Sequence, residues 1–299
     1  MSAVGALVDD GVLEESVPLG PLTTYKAGGP ARWFATVGSR SDLDRVIETG
    51  LSAQMPTLVL GRGSNLVVAD SGFGGLVVKL EGDFLAVGID GLDVTGGGAA
   101  PLPRLARASV DEGILGLEFF VGIPGSVGGA VRQNAGCFGV ETIDRLRFAS
   151  IVDLRTGVER RDTPDDLDLA YRHSNVASHD LVVAARFTGV SGQPDQGREL
   201  MREITRWRRA HQPGGTLNAG SVFKNPSNVP AGQLIDELGL KGLAVGDVSV
   251  SAKHANFFVA GPDATSKDIY LLVQLVKDTV LERSGTKLET EIQFVGFDK

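Results

Sequence analysis

Three groups of residues have the types and spacing for chemistry on an anion. The first is the polar stretch 217–226, Leu-Asn-Ala-Gly-Ser-Val-Phe-Lys-Asn-Pro. Ser221 follows a glycine there, with Lys224 and Asn225 close behind. A hydroxyl on a turn beside a cation and an amide suits work on a negatively charged substrate. The competing reading is a loop whose serine caps the backbone, since Ser and Asn favour turns. The second group is Tyr171-Arg172 in the run 170–174. A guanidinium can grip a carboxylate with two parallel hydrogen bonds, although a surface ion pair is equally compatible with a loop arginine.

The third group is a pair of glycine-rich loops. Gly61-Arg62-Gly63-Ser64-Asn65 lies between two apolar runs, 57–60 and 66–68, that read as strands. A dinucleotide fingerprint passes from strand to helix, so this strand-to-strand loop is not that motif. No phosphate-binding G-x-x-x-x-G-K-[ST] occurs either. The loop is either an ordinary hairpin bend or a nest of backbone N–H groups for an anion. The second loop is Gly122-Ile123-Pro124-Gly125-Ser126-Val127-Gly128-Gly129-Ala130, which leads into Asn134-Ala135-Gly136. Glycines let backbone approach a bulky ligand directly. Two such loops suit a diphosphate with a flat ring system beside it, against the alternative of tight packing. The second loop has no lysine, so backbone and not a cation is expected to carry the binding.

The chain has 299 residues, of which 40 are glycine, roughly twice the usual share of about 7%. Its net charge of −8 argues against nonspecific nucleic-acid binding. One cysteine excludes an internal disulfide framework and fits a reducing compartment. No apolar run approaches the roughly 20 residues that span a bilayer, and the acidic N-terminus does not read as a signal peptide. A soluble, cytoplasmic protein is expected. The four histidines, His173, His179, His211 and His254, form no close ligand pair, so no metal site is expected.

The elements that must position these groups follow from periodicity and punctuation. Ser41 is expected to cap a short helix. Residues 76–98 read as a β-meander, and 101–112 as a helix with Leu102, Leu105, Ala106 and Val110 on one face and Gly113 as its stop. Strands are expected over 148–153 and 181–187. Gln193 to Gly197 reads as a linker, followed by a helix over 198–211 whose end carries Arg206, Arg208 and Arg209. A helix over 231–238, a strand over 254–259, a helix over 269–283 behind a Thr265/Asp268 capping box, and a closing strand over 288–295 complete the pattern. On that last strand Glu289 and Glu291 share a face, exposed by default.

Taken together and in order, these motifs resemble the UDP-N-acetylenolpyruvoylglucosamine reductase family, from Thr23 to Gly296. The resemblance rests on the two glycine loops, Asn134-Ala135-Gly136, Tyr171-Arg172-x-Ser174, Gln212-Pro213, the 219–226 stretch, His254-Ala255-Asn256-Phe257 and Leu288-Glu289-Thr290-Glu291. It implies an α+β fold. A two-lobed FAD-binding domain of the vanillyl-alcohol-oxidase (PCMH) type would span 1–192, with lobes of about 20–85 and 86–192. An α+β substrate domain would span 193–299.

The resemblance also implies non-covalent FAD, NADPH as reductant, and reduction of UDP-N-acetylglucosamine enolpyruvate to UDP-N-acetylmuramate for peptidoglycan synthesis. Hydride would go to C3 of the enolpyruvyl group and a proton from Ser221 to C2. Arg172 would hold the carboxylate and Glu291 would help polarise it, with Lys224 or water restoring the serine proton. Glu291 fits the family pattern better than Glu289. Cofactor contacts would come from Tyr25, the residues of loop 61–65, Gly122 to Ser126, Gly128 to Ala130, and Asn134 to Gly136. Arg209, Lys224 and Asn225 align with positions that bind the UDP-sugar. The short span between Ser174 and Leu181 matches the shorter subclass, which lacks an added tyrosine-bearing loop, and a monomer is expected. A covalent-flavin oxidase is disfavoured because no histidine precedes His173. A non-catalytic nucleotide-sugar binder is disfavoured by the joint presence of Ser221, Arg172 and Glu291.

Overall fold

The computed structural model describes residues 3–297, which form two compact units. The larger comprises residues 3–17, Arg32–Arg62 and Gly74–Trp207. The smaller comprises Pro18–Ala31, Gly63–Phe73 and residues 208–297.

Two sheets organise the larger unit. A four-stranded sheet has the order Leu13–Pro18, Pro30–Val37, Phe73–Leu80, Thr57–Val59, the last pair being parallel. A five-stranded antiparallel sheet has the order Glu159–Asp162, Leu146–Asp153, Asp180–Thr188, Asp93–Gly97, Val87–Asp90. The strand Asp180–Thr188 is buried along most of its length; its side chains alternate, and the register shift opposite Ser150 and Ile151, which leaves Val183 without a partner, reverses that alternation partway along. Leu181 and Val183 therefore enter the core with Leu43, Val46 and Leu76. Val182, Ala185 and Phe187 enter the other core, with Leu102, Leu105 and Phe120. One strand thus serves two cores, which is the two-lobed α+β arrangement expected of the FAD-binding part.

The helix Leu102–Asp111 forms as its periodicity predicts. Leu102, Leu105, Ala106 and Val110 are buried, and Gly113 turns the chain away at φ +71°. Four expectations are corrected. Residues 76–98 are not one meander, because Phe73–Leu80 belongs to the four-stranded sheet and the hairpin Val87–Asp90/Asp93–Gly97 to the other. The early helix is capped by Ser39, not Ser41. Ser39 is extended at φ −140° and exchanges capping-box bonds with Asp42. The stretch read as a linker at 193–197 is mostly helical, since the helix runs Pro194–His211. Pro194 suits a first turn, and a Cβ on Gly197 would sit 2.7 Å from Val110 Cγ2, so only glycine allows that approach. Finally, the last two expected strands shrink to Phe258–Ala260 and Gln293–Val295.

In the smaller unit a three-stranded sheet, Ala244–Val245, Val248–Val250 and Phe258–Ala260, packs with the helices Ala231–Glu237 and Ser266–Ser284. Gln293–Val295 pairs in parallel with Leu66–Val68. The longer helix buries Ile269, Leu272, Val273, Val276 and Val280, a stripe at helical spacing. Its start is capped by Thr265 with Asp268, as expected. The Asp70 carboxylate also accepts from the N–H groups of Ser266 (3.0 Å) and Lys267 (2.9 Å).

Candidate active site

In the larger unit the first glycine loop is no hairpin bend. The strand before it, Thr57–Val59, pairs with Phe73–Leu80. The N–H groups of Gly61 and Arg62 have no hydrogen-bond partner among the described residues. Both line a cavity of about 390 Å³ together with Ser126, Gly128 and Gly129 of the second loop. A Cβ on Gly61 would lie 2.9 Å from Ser126 Oγ, so glycine lets the two loops meet. Gly98 lines the same cavity, and a Cβ there would fall 2.0 Å from the Val182 carbonyl oxygen. The volume is in the range of small-molecule sites. A wall of Val59, Leu60, Leu80, Leu85 and Val182 facing glycine backbone and cations suits a diphosphate flanked by a ring system, so these residues fit FAD.

Two features of this cavity differ from the sequence reading. Backbone donors of the second loop are largely used within the protein. Val127 N–H bonds to Ala100 O (3.0 Å), Gly128 N–H to Gly98 O (2.9 Å), and Gly129 N–H to Ser126 Oγ (3.4 Å). Cations are present after all: Arg62, Lys79 and Arg132 line the cavity. Arg132 Nη1 donates to the carbonyls of Val176 and Ala177, both at 2.8 Å, and burial pulls its basicity down while the Asp180 charge partly restores it. Nothing local marks Arg132 for this place, because it stands between the two glycine-rich motifs. Asp180, also on the lining, is only 7% exposed and takes both Arg160 arms at 2.9 Å. Gly122 to Gly125, in the turn before the helix Val127–Gln133, and Ala130, buried within that helix, lie outside the lining.

Asn134 ends that helix in the left-handed region (φ +41°) and is fully buried. Its amide is fully employed. Oδ1 accepts from Ile143 N–H, and Nδ2 donates to Glu141 Oε2 and to the Ala170 carbonyl, each at 2.9 Å. The Ala135 carbonyl accepts from the backbone N–H and hydroxyl of Thr142. Arg172 is held nearby. Nη1 donates to Glu141 Oε1 (3.2 Å), Nη2 to Gly136 O (3.3 Å), and its guanidinium stacks 4.9 Å from the Tyr171 ring. Asn134 and Gly136 thus share one cluster with Arg172, which lies 36 residues beyond Gly136. Glu141, which the sequence reading passed over, is its hub.

In the smaller unit Ser221 is half-buried, at a bridge to Phe257, after Gly220 at φ +74°. The next two residues are gripped from both sides. Val222 N–H donates to Asn256 O (2.8 Å), and Glu291 N–H donates to Val222 O (2.8 Å). Phe223 bridges Thr290, and Lys224 N–H donates to Glu289 O (2.9 Å). The Asn65 amide donates to the Glu291 carbonyl at 3.0 Å, which ties the end of the first glycine loop to the Glu291 segment. Glu291 is half-buried, whereas the Glu289 side chain is 72% exposed, 4.0 Å from Lys224 Nζ.

The other expected contacts vary in setting. Gly63 is buried at φ +62°, and its carbonyl accepts from Thr24 N–H (3.1 Å); Ser64 is half-buried. Asn225 is exposed, with Oδ1 accepting from Ala231 N–H at the start of a helix (3.0 Å). Arg209 is exposed, and its carbonyl accepts from Lys253 Nζ (2.6 Å). Tyr25 is 2% exposed, its hydroxyl donates to Phe258 O (3.2 Å), and burial pushes the phenol up. That is the setting of a core residue. Among the described residues no group of three or more potential ligands gathers for a metal, and no helix is long and apolar enough to cross a membrane.

Residues 31–163 match the model of an FAD binding domain, and residues 212–295 match that of the UDP-N-acetylenolpyruvoylglucosamine reductase C-terminal domain. Among similar proteins, a UDP-N-acetylenolpyruvoylglucosamine reductase of Synechococcus sp. is 39% identical over 98% of this chain and 96% of its own. One of Parvibaculum lavamentivorans is also 39% identical, over 99% and 97%. The crystal structure of UDP-N-acetylenolpyruvylglucosamine reductase from Thermus caldophilus superposes with a TM-score of 0.82 at 36% identity, covering 94% of this chain and 98% of that one. With both halves matched and such relatives aligned end to end, the chain belongs to the UDP-N-acetylenolpyruvoylglucosamine reductase family.

Proposed function

We propose that the protein reduces the enolpyruvyl ether of UDP-N-acetylglucosamine enolpyruvate to a lactyl ether, giving UDP-N-acetylmuramate, with non-covalent FAD and with NADPH as reductant. Gly61, Arg62, Ser126, Gly128 and Gly129 would hold FAD, which when bound would supply hydride transfer between NADPH and C3 of the enolpyruvyl group. The protein must then manage charge that develops at C2 and spreads into the carboxylate. Arg172 holds that carboxylate, and a fixed guanidinium stabilises the enolate-like state. Glu291, in its protonated form, polarises the same group. Ser221 delivers a proton to C2, and Lys224 or water returns one to the serine. Addition of hydride at C3 and a proton at C2 saturates the double bond with no group lost. Arg209 and Asn225 are assigned to the UDP-sugar. A monomer working in the cytoplasm is the corresponding cellular form.

The observation that carries this reading is the pairing of the 221–224 segment with the Glu289–Glu291 segment through Glu291 N–H to Val222 O and Lys224 N–H to Glu289 O. Those bonds join the segment that carries the Ser221 hydroxyl to the one that carries the half-buried Glu291. The alignment with relatives over nearly the whole chain supplies the substrate.

The test is anaerobic stopped-flow absorbance of the flavin. NADPH is expected to bleach it, and UDP-N-acetylglucosamine enolpyruvate to restore its colour without oxygen. Bleaching with no recovery would overturn the assigned acceptor. Protein that neither purifies with flavin nor takes it up would overturn the cofactor.

A further inference from the structure

We propose that Glu141 is a positioning residue that fixes the guanidinium fork of Arg172 for carboxylate binding. This rests on the reading of Arg172 as the group that holds the substrate carboxylate. Glu141 ends the short strand Val140–Glu141, which pairs antiparallel with Gly136–Cys137, so that Glu141 lies opposite Gly136. A Cβ on Gly136 would come 2.8 Å from Glu141 Cγ and 3.0 Å from the Val140 carbonyl. Glycine at 136 is therefore what lets the Glu141 side chain pass over this hairpin.

Both arms of the Arg172 fork end on that hairpin. Nη1 meets Glu141 Oε1 at 3.2 Å and Nη2 meets the Gly136 carbonyl at 3.3 Å. Two bonds from different nitrogens set the plane and direction of a rigid guanidinium, which one bond would not do. The Arg172 backbone stands at φ +54°, a region that side-chain-bearing residues seldom adopt and that persists where surroundings over-determine it. The arginine side chain is 17% exposed and that of Glu141 29%, so the pair is partly desolvated and still reachable.

Glu141 itself is anchored by its second oxygen, which accepts from Asn134 Nδ2 at 2.9 Å. Asn134 cannot turn its amide over to offer an acceptor instead. Its Oδ1 already receives Ile143 N–H, and its Nδ2 also donates to Ala170 O. The Glu141 carboxylate also caps the backbone N–H of Asp144, so its neighbours are all donors, and only a group with two acceptor oxygens satisfies both Arg172 and Asn134. Glutamine, the isosteric replacement, has one acceptor and one donor, so either Arg172 or Asn134 would face an amide N–H. Aspartate keeps two acceptors at shorter reach.

The experiment uses FAD-loaded protein and separates the half-reactions. Glu141→Gln is expected to slow anaerobic flavin reoxidation by UDP-N-acetylglucosamine enolpyruvate by about tenfold or more, through a misdirected fork. Flavin reduction by NADPH is expected to stay unchanged. Glu141→Asp is expected to recover part of the loss. In an Arg172→Lys background, where the fork is gone, Glu141→Gln is expected to add no more than about a twofold loss. Arg172→Lys slow but Glu141→Gln normal would overturn the positioning role and leave the Arg172 reading intact. Arg172→Lys near normal would overturn the Arg172 reading itself. Equal loss of both half-reactions, or losses that multiply fully in the double variant, would show that Glu141 does not act through the fork.

Discussion

Asn256 clasps Phe223 by both polar groups of its backbone. Phe223 N–H donates to Asn256 Oδ1 at 2.9 Å, and Asn256 Nδ2 donates to Phe223 O at 2.8 Å. The Asn256 side chain thereby imitates a neighbouring strand, and its own carbonyl accepts from Val222 N–H. The Ser221 turn gains its fixed course from an amide that is only 3% exposed.

Removing that amide leaves a buried N–H and a buried C=O without partners, each costing about 1 to 3 kcal/mol. Asn256→Ala is expected to destabilise the protein by about 3 kcal/mol, a fall in Tm of roughly 6 °C or more. Thermal unfolding followed by circular dichroism checks this. A Tm within about 1 °C of wild type would mean the clasp is not what holds the turn.

Ser221 itself is expected to act in one half-reaction only. Under the proposed mechanism, Ser221→Ala removes the proton source for C2 and leaves hydride transfer from NADPH to be tested separately. Flavin bleaching by NADPH is expected to proceed normally, and reoxidation by the enolpyruvyl substrate to slow by about 10² to 10⁴, the usual worth of a positioned acid. Stopped-flow absorbance reads both steps in one instrument. Equal slowing of the two would remove the serine as the specific donor.

How much of this was legible in the sequence depends on the range of the signal. The helix Leu102–Asp111 and the Thr265/Asp268 cap were readable because the information lies within one or two turns of chain. The glycine loops were readable as places of close backbone approach because the glycines come in short runs, and parts of both loops do line one cavity. Ser41 looks like a cap as much as Ser39 does, because both stand three residues before an aspartate, and only backbone geometry separates the cap from the first turn. The strand Asp180–Thr188 was visible, but not that it feeds two different cores, which depends on residues as far away as Leu7. Glu141, Arg132 and Asn256 gain their roles through partners distant in sequence, and a lone carboxylate, arginine or amide carries no local mark. Asn256 was quoted within a motif, yet its clasp on Phe223 spans 33 residues and has no periodicity to betray it.

Acid stability should report on Asp180. Burial works to raise its pKa, but the hydrogen bonds from Arg160 and Ala177 N–H, with the Arg160 charge, outweigh burial and hold it below the usual carboxylate range. A depressed folded-state pKa contributes stability that is present above the unfolded value of about 3.9 and is lost as pH falls through the folded value. Asp180→Asn is therefore expected to lower stability at neutral pH and to flatten the acid limb below about pH 4. Urea midpoints measured from pH 7 down to pH 3 test this. An unchanged acid limb would assign the effect to other carboxylates.

The cavity wall yields a steric prediction with an internal control. Gly98 N–H donates to Val183 O at 2.8 Å and its carbonyl accepts from Gly128 N–H at 2.9 Å, so its backbone is pinned from both sides. A methyl group there would lie 2.0 Å from the Val182 carbonyl, and backbone cannot yield as a flexible side chain does. Gly98→Ala is expected to cost about 3 kcal/mol through overpacking and to release flavin during gel filtration, because Gly98 and Gly128 line the same cavity. Gly74, on a strand of the four-stranded sheet, has nothing within 4 Å of an added Cβ. Gly74→Ala is expected to be neutral or slightly stabilising, by restricting the unfolded chain. Flavin-to-protein absorbance ratios and Tm separate the two. If Gly98→Ala keeps its flavin and its Tm while Gly74→Ala does the same, the close approach of 98 to 182 is not what shapes the cavity.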